Sequence, residues 1–484
     1  MIIRLPYGSG YQTLEIDDMY DVETLRSGAD GGGGVGGARV GGGAGSSFVE
    51  DEDDIVLAAM AAPIGAPRLA ELARSALNAV IICSDHTRPV PSRRIIPHML
   101  DELRQYNPGI HITLLIATGM HRAPSRAELE LKFGPKIIES EHIVIHDSKD
   151  LHSMRRIGRL PSGADLIINS TAADADLLVA EGFIEPHFFA GYSGGRKSVL
   201  PGICAYETVL GNHCAAFIAD PAARTGELDG NPIHRDMVAA QQMAGLAFIV
   251  NVIIDANRHV LRAYAGEPVK AHARGCGDLD VMCRVAPGRA ADIVITTNGG
   301  APLDQNIYQA VKCMTAAEAA AAPGAVIIAL SECADGVGGD SFFSMMRNCK
   351  SPAELLDAIG NVPMQETAED QWEAQILARI MAKHRVILVC AEGAREAARQ
   401  MKLLTAGDVN EALALALRML PADASRSGGG GEGSVGAVGG ISGGVGGGSS
   451  SGSGNGIGGE RIGKNPYIII IPDGVSVIVS PAEK

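Results

Sequence analysis

Positive charge is in short supply in this sequence. Lys and Arg number 41 against 56 Asp and Glu, a formal net charge of −15. Nucleic-acid binding depends on a dense cationic surface that displaces counterions, so this balance argues against it, and anionic membrane surfaces are disfavoured for the same reason. Long apolar runs are missing too: no segment approaches the ~20 residues that a membrane helix needs. The opening MIIRLPYGSG has no apolar stretch after a basic start, which predicts that there is no signal peptide and that the protein is soluble and cytoplasmic. The nine Cys are scattered, odd in number and never spaced as CxxC, which excludes a disulfide framework or zinc knuckle and predicts reduced, buried thiols. Neither HxH nor HExxH occurs, so an ordinary zinc hydrolase site has no support.

What is present is a globular composition, 46% hydrophobic and 20% charged, over 484 residues, enough for two or three domains. Glycine is concentrated in two tracts, Gly31–Gly45 within an insertion at 31–46, and Ser427–Gly459 within a second at 427–460. Such segments bury too little apolar surface to offset their chain entropy, and both are expected to be mobile surface insertions. Elsewhere strand and helix signals alternate. The runs Asn78–Cys83, His111–Ala117, Ala164–Asn169 and Asp176–Ala180 are continuously apolar, as buried parallel strands are. A helix is expected from Arg93-Arg94 to near Arg104, with Pro97 close to its start. A second unit begins near Ala291, with strands at Asp292–Thr296, Ala325–Leu330 and Arg385–Cys390 and a helix around Tyr308–Ala321. The expected fold class is α/β: two domains with mostly parallel sheets, 1–280 and 290–424, and a cleft between them. Strands at Tyr467–Ile471 and Val475–Val479, within 465–484, are expected to return to the first domain.

The loops at the carboxyl ends of parallel strands carry chemistry in such folds, and here they are rich in it. Asp85-His86-Thr87-Arg88 offers a carboxylate, a hydroxyl and a guanidinium, Gly119-Met120-His121-Arg122 a histidine, and Gly211-Asn212-His213 another. The densest stretch, EPHFFAGYSGGRKSVLPGI over 185–203, holds His187 and Lys197. It is not a P-loop, because counting from Gly191 the second obligatory glycine falls on Arg196, whose bulk would block the backbone approach to phosphate. A nicotinamide dehydrogenase turn is also missing: Gly336-Val337-Gly338-Gly339 comes nearest, and its last position is Ser341. Taken alone, each histidine reads as a satisfied structural residue. Three of them with one Lys and one Arg, each beside Gly or Pro loop chemistry, shift the balance toward a site.

The runs SDHTRPVP (84–91), ATGMHR (117–122), EPHFFAGYSGGRKSVLPGI and GNH (211–213), followed by NGGAPLD (298–304), Tyr308-Gln309, Lys312 and ECADG (332–336), together resemble the nickel-dependent lactate racemase family. The resemblance covers essentially the whole chain outside the Gly-rich tracts. It implies a racemase or epimerase of a small 2-hydroxy acid, lactate or a relative such as malate, phenyllactate or a sugar acid. It implies as cofactor a nickel-pincer nucleotide, a pyridinium bisthiocarboxylate mononucleotide tethered to Lys197, with His213 as nickel ligand and separate cofactor-biosynthesis proteins for loading. It further implies His121 and His187 as catalytic acid/base, Asp85, His86, Thr87 and Arg88 as the cofactor-holding loop, and Arg88, Gln309, Lys312 and Trp372 as substrate contacts. A non-catalytic nucleotide-binding relative would be expected to lack His121, His187 or Lys197; all three are present.

Chemistry explains why such residues belong together. Removing a proton from the carbon beside an ionised carboxylate would build a second negative charge on one small molecule. Removing hydride, with loss of the hydroxyl proton, leaves a neutral ketone. That route needs a hydride acceptor and a base for each enantiomer, and the ordinary histidine pKa of about 6.5 suits both directions.

Overall fold

The computed structural model describes residues 1–28, 51–420 and 465–481, and both Gly-rich tracts lie outside the described residues. Two six-stranded sheets organise the chain. The first runs, edge to edge, Val260–Gly266, Leu246–Ile254, Leu177–Phe183, Asn78–Ser84, His111–Ala117 and His142–Ile145. All its pairings are parallel except that of the Val260–Gly266 edge. Its inner strands carry Val, Ile and Leu on both faces because helices cover both. Ile81 and Ile82 point to opposite faces and neither is exposed. Each such side chain removed from water is worth about 1.5–3 kcal/mol.

The second sheet is parallel throughout: Leu404–Ala406, Arg385–Val389, Ala321–Leu330, Ala291–Thr297, Tyr467–Ile471 and Asp21–Thr24. Here the structure corrects the expected domain boundaries. Tyr467–Ile471 does not return to the first unit. It lies between Ala291–Thr297 and the N-terminal strand Asp21–Thr24, inside the second sheet. A YIIII strand buries both faces and needs a neighbour on each edge, but its composition is silent on which sheet supplies them. The first residues therefore pack with the second unit, including the hairpin of Ile2–Tyr7 and Gly10–Glu15. Only Ile478–Val479 reaches back, pairing with Arg284–Val285 while Ile478 packs against Ile184, Tyr192 and Leu279.

Two local expectations also change. The strand Asp165–Asn169 joins neither large sheet but pairs antiparallel with Met154–Arg159, burying Leu166 and Ile168 beneath it. An apolar run reads alike in either setting. The helix expected from Arg93 begins at Ser92, so Pro97 lies beyond its first turn and removes one ladder hydrogen bond from a buried helix.

The sheet order positions the site. From Asn78–Ser84 the chain moves outward through His111–Ala117 to His142–Ile145, then returns to the other side of Asn78–Ser84 as Leu177–Phe183 and continues to Leu246–Ile254. Loops leaving Asn78–Ser84 and Leu177–Phe183 diverge at this switch, the place where open α/β sheets bind their ligands. The second unit closes over it. One apolar cluster runs without a break from Ile82, Phe189 and Ile203 to Ile307, Trp372 and Ile376, and Gln375 Nε2 donates to the Ala215 carbonyl at 2.9 Å.

Candidate active site

Three loops of the first unit meet at the switch point. The central one follows Asn78–Ser84 and begins with Asp85, which is 1% exposed. Its Oδ1 accepts from the Thr87 hydroxyl at 2.6 Å and the Thr87 N–H at 3.1 Å, while Oδ2 accepts from His121 Nδ1 at 2.8 Å. Burial opposes the charge on Asp85, but the hydrogen bonds from His121 and Thr87, with the Arg88 charge, hold its carboxyl below the usual range. The His121 proton is thereby directed to Nδ1, leaving Nε2 with a lone pair. The His121 side chain is 43% exposed, so that lone pair is accessible.

The loop after Leu177–Phe183 carries Glu185 and His187, and a tight turn brings Lys197 back to them. Gly194 and Gly195 have φ of +74° and +51°, and a Cβ on Gly194 would sit 2.8 Å from the Phe183 carbonyl oxygen. Only glycine fits such a turn without strain. Lys197 Nζ lies 2.8 Å from His187 Nε2, and the Ala190 N–H donates to His187 Nδ1 at 3.3 Å. With Nδ1 accepting, the imidazole proton resides on Nε2 and points at Nζ, which can receive it only as an uncharged amine. The pKa directions agree. Burial, then the Arg196 and Arg88 charges, push the Lys197 amine well below its ordinary value. Burial, then Lys197, push His187 well down.

His213 caps the helix Tyr206–Asn212. Its Nδ1 donates to the Val209 carbonyl at 3.1 Å, so Nε2 is unprotonated and free to bind a metal. Burial and the Lys197 charge push its pKa down to about 3. Phe189 and Trp372 pack edge-on against the ring, each with centroids 5.0 Å away. Among the described residues no three His, Cys, Asp or Glu converge as a metal cage. A metal beside His213 would therefore take its remaining ligands from a bound group, which is what a chelating nucleotide offers.

The second unit contributes the helix Ile307–Ala320, with Gln309 and Lys312 half-buried on it. Burial and the Arg88 charge lower the Lys312 amine, while Glu185 and Glu373 oppose that shift. Trp372 Nε1 donates to the Tyr308 hydroxyl at 3.0 Å, so this indole walls the His213 side of the site. His86 Nε2 lies 3.8 Å from Glu128 on a neighbouring helix.

Two acids at the site were missed as functional residues. Glu185 is ringed by Arg88, Lys312 and Lys197, yet burial still raises its carboxyl. Glu373 is fully buried with no hydrogen bond to either carboxylate oxygen, and burial raises it well above the usual range against the pull of Lys312. Glu185 lies inside a quoted motif and Glu373 directly follows Trp372, but an acid in either place carries no signal of which cations will surround it.

Buried neutral histidines also set the acid limit of the fold. Burial lowers His146 to about 4 and His272 well below its ordinary value. Because both folded values lie below the unfolded one of about 6.5, the unfolded chain binds more protons as pH falls, and stability is lost through that window. The cofactor-free protein should lose about 1.4 kcal/mol per histidine between pH 7.5 and 5.5. Chemical denaturation at the two pH values reads this directly; equal stabilities would contradict it.

Comparison with known proteins places this geometry in context. Residues 41–226 match the family model for the lactate racemase N-terminal domain, and residues 287–427 that for the lactate racemase C-terminal domain. A lactate racemase of Thermoanaerobacterium thermosaccharolyticum is 48% identical over 86% of this chain and 94% of its own length. One from Lactiplantibacillus plantarum is 51% identical over 70% of this chain and 80% of its own. The solved lactate racemase apoprotein of T. thermosaccharolyticum superposes with a TM-score of 0.84 at 43% identity, over 99% of this chain and 100% of that one. A Thermotoga maritima protein, at TM-score 0.57 and 18% identity over 74% of this chain and 92% of its own, shares the fold alone.

Proposed function

This chain belongs to the lactate racemase family and is an isomerase, and from that premise we propose that it interconverts the enantiomers of lactate using a nickel-pincer nucleotide tethered to Lys197. The observation that carries the reading is the Lys197–His187 contact of 2.8 Å, an uncharged amine beside a neutral imidazole in a crevice that His121 and His213 also border. Lys197 would hold the group covalently, and the free Nε2 of His213 would ligate its nickel. When bound, the group supplies an acceptor for the hydride of the hydroxyl-bearing carbon.

The remaining work is done by the chain's own side chains. Arg88 and Lys312 bind the substrate carboxylate, Arg88 with a planar fork that suits two oxygens, and Gln309 lies one turn before Lys312 to contact the same molecule. His121 and His187 exchange the hydroxyl proton. They leave from the two strands that flank Asn78–Ser84, and so reach the substrate from different sides, as two enantiomers require. Burial and the neighbouring cations disfavour the charged form of His187, and with its proton on Nε2 it is the donor of the pair, while the Nε2 lone pair of His121 is the acceptor. Trp372, Phe188 and Phe189 exclude water from the reacting carbon.

The test is protein produced with and without the cofactor-building proteins. Loaded protein should carry a mass increment on the Lys197 peptide and racemise D-lactate, while unloaded protein should do neither. Racemisation by protein with an unmodified Lys197 would defeat the tether.

A further inference from the structure

The side chain dismissed as an obstruction to phosphate, Arg196, is the largest of the most completely buried side chains among the described residues, at 1% exposure. Buried cations are ordinarily paired with carboxylates. Arg196 is not. Its Nε donates to His234 Nδ1 at 3.0 Å and its Nη2 to the Ala190 carbonyl at 2.7 Å. Nη1 lies 2.9 Å from His272 Nε2 and 3.4 Å from the carbonyls of both Ser193 and Gly194. Every one of these partners is neutral: three are peptide carbonyls, and burial and the guanidinium itself hold both imidazoles uncharged. Each guanidinium nitrogen has a neutral group within hydrogen-bond distance, with His272 Nε2 shared between Nη1 and the Ser193 carbonyl at 2.8 Å, and none of these groups cancels its charge. Desolvation brings its pKa down only to about 10, so the charge persists at neutral pH.

We propose that Arg196 is a positioning residue whose uncompensated charge keeps the adjacent Lys197 a free, nucleophilic amine at neutral pH. The inference rests on the reading of Lys197 as an attachment point, and it accounts for a feature that packing alone does not require. An amine can be acylated only through its lone pair, and an ammonium has none. A fixed cation next in sequence disfavours a second positive charge in the same low-dielectric pocket. Burial is the largest influence holding Lys197 uncharged; Arg196 comes next, Arg88 and Lys312 act in the same direction, and Glu185 opposes them. Ala190 ties the two side chains together: its carbonyl accepts from Arg196 Nη2 at 2.7 Å, and its N–H donates to His187, whose Nε2 contacts Lys197 Nζ, while His213 is kept neutral. Once the amine is acylated it no longer titrates, so the effect belongs to attachment and not to turnover.

The experiment uses cofactor-free full-length protein and acetic anhydride. Lys197 Nζ attacks one carbonyl carbon, acetate leaves, and the amine proton passes to water. Acetylation rates of the Lys197 peptide are followed by mass spectrometry across pH, against a free lysine peptide of pKa about 10.4. Wild type should reach its plateau well below the pH at which the peptide does. Arg196→Gln, which keeps a donor but no charge, should move the midpoint upward by about one unit or more, a tenfold loss of labelling at neutral pH. Arg196→Lys should restore the early plateau.

A second variant leaves Arg196 itself in place. Cys276 is buried with its Sγ 3.4 Å from His272 Nε2, so Cys276→Asp brings a carboxylate toward the guanidinium and should raise the midpoint as Arg196→Gln does. If Arg196→Gln fails to fold, this variant and the wild-type profile decide. A midpoint unchanged in either folded variant, or a wild-type profile matching the free peptide, overturns the proposal. Neither result bears on whether loaded protein carries a group on Lys197, which the mass increment tests separately.

Discussion

Lys197→Arg should abolish lactate racemisation, lowering kcat/KM by at least about four orders of magnitude, within the range that enzymes contribute over the uncatalysed reaction. The substitution is informative because it keeps the charge and most of the reach. Were Lys197 only an electrostatic grip on an anion, Arg would serve at least partly. A guanidinium stays protonated and is no nucleophile at neutral pH, so a covalent role is lost outright. Chiral analysis of lactate after incubation with D-lactate, alongside the mass of the 197 peptide, reads both quantities. Activity within tenfold of wild type would remove the tether from the mechanism.

His187→Gln and His121→Gln should each lower kcat by about 10²–10⁴, the usual contribution of general acid–base catalysis, while nickel content and the Lys197 mass increment persist. The two losses should not multiply in the double variant. Racemisation needs a proton removed at one histidine and delivered at the other, so losing either already breaks the cycle. Asp85→Asn should act in the same direction through His121. With the carboxylate gone, the imidazole can rotate or change tautomer and present its proton where a lone pair is needed. Loss of nickel in His187→Gln would make that residue a ligand or a structural element instead. His213→Ala carries the converse expectation, an absent metal with Lys197 still modified, measured by elemental analysis of the loaded protein.

The α/β class was legible because buried parallel strands leave an unmistakable record. Val, Ile and Leu dominate Asn78–Cys83, His111–Ala117 and Arg385–Cys390, and the first two runs end in polar loop residues. The residues of the candidate site were legible for a related reason. Chemistry in such folds gathers at the carboxyl ends of strands, so His121, His187 and the Asp85–Arg88 loop stood out beside their strands. Tyr467–Ile471 was misassigned because hydrophobicity specifies that a strand is buried and not which sheet buries it.

Sequence alone therefore determined the element types, the clustering of His, Lys and Arg at strand ends, and the family that these motifs resemble. All of these are properties of neighbours along the chain, where side-chain periodicity and local backbone preferences act. Only the tertiary structure decided which unit receives the N-terminal and C-terminal strands. It also turned His86 toward Glu128, set Glu185 among three cations, and enclosed Arg196 in a cage without a carboxylate. Those outcomes depend on the dielectric and the partners at each atom, which residues distant in sequence supply.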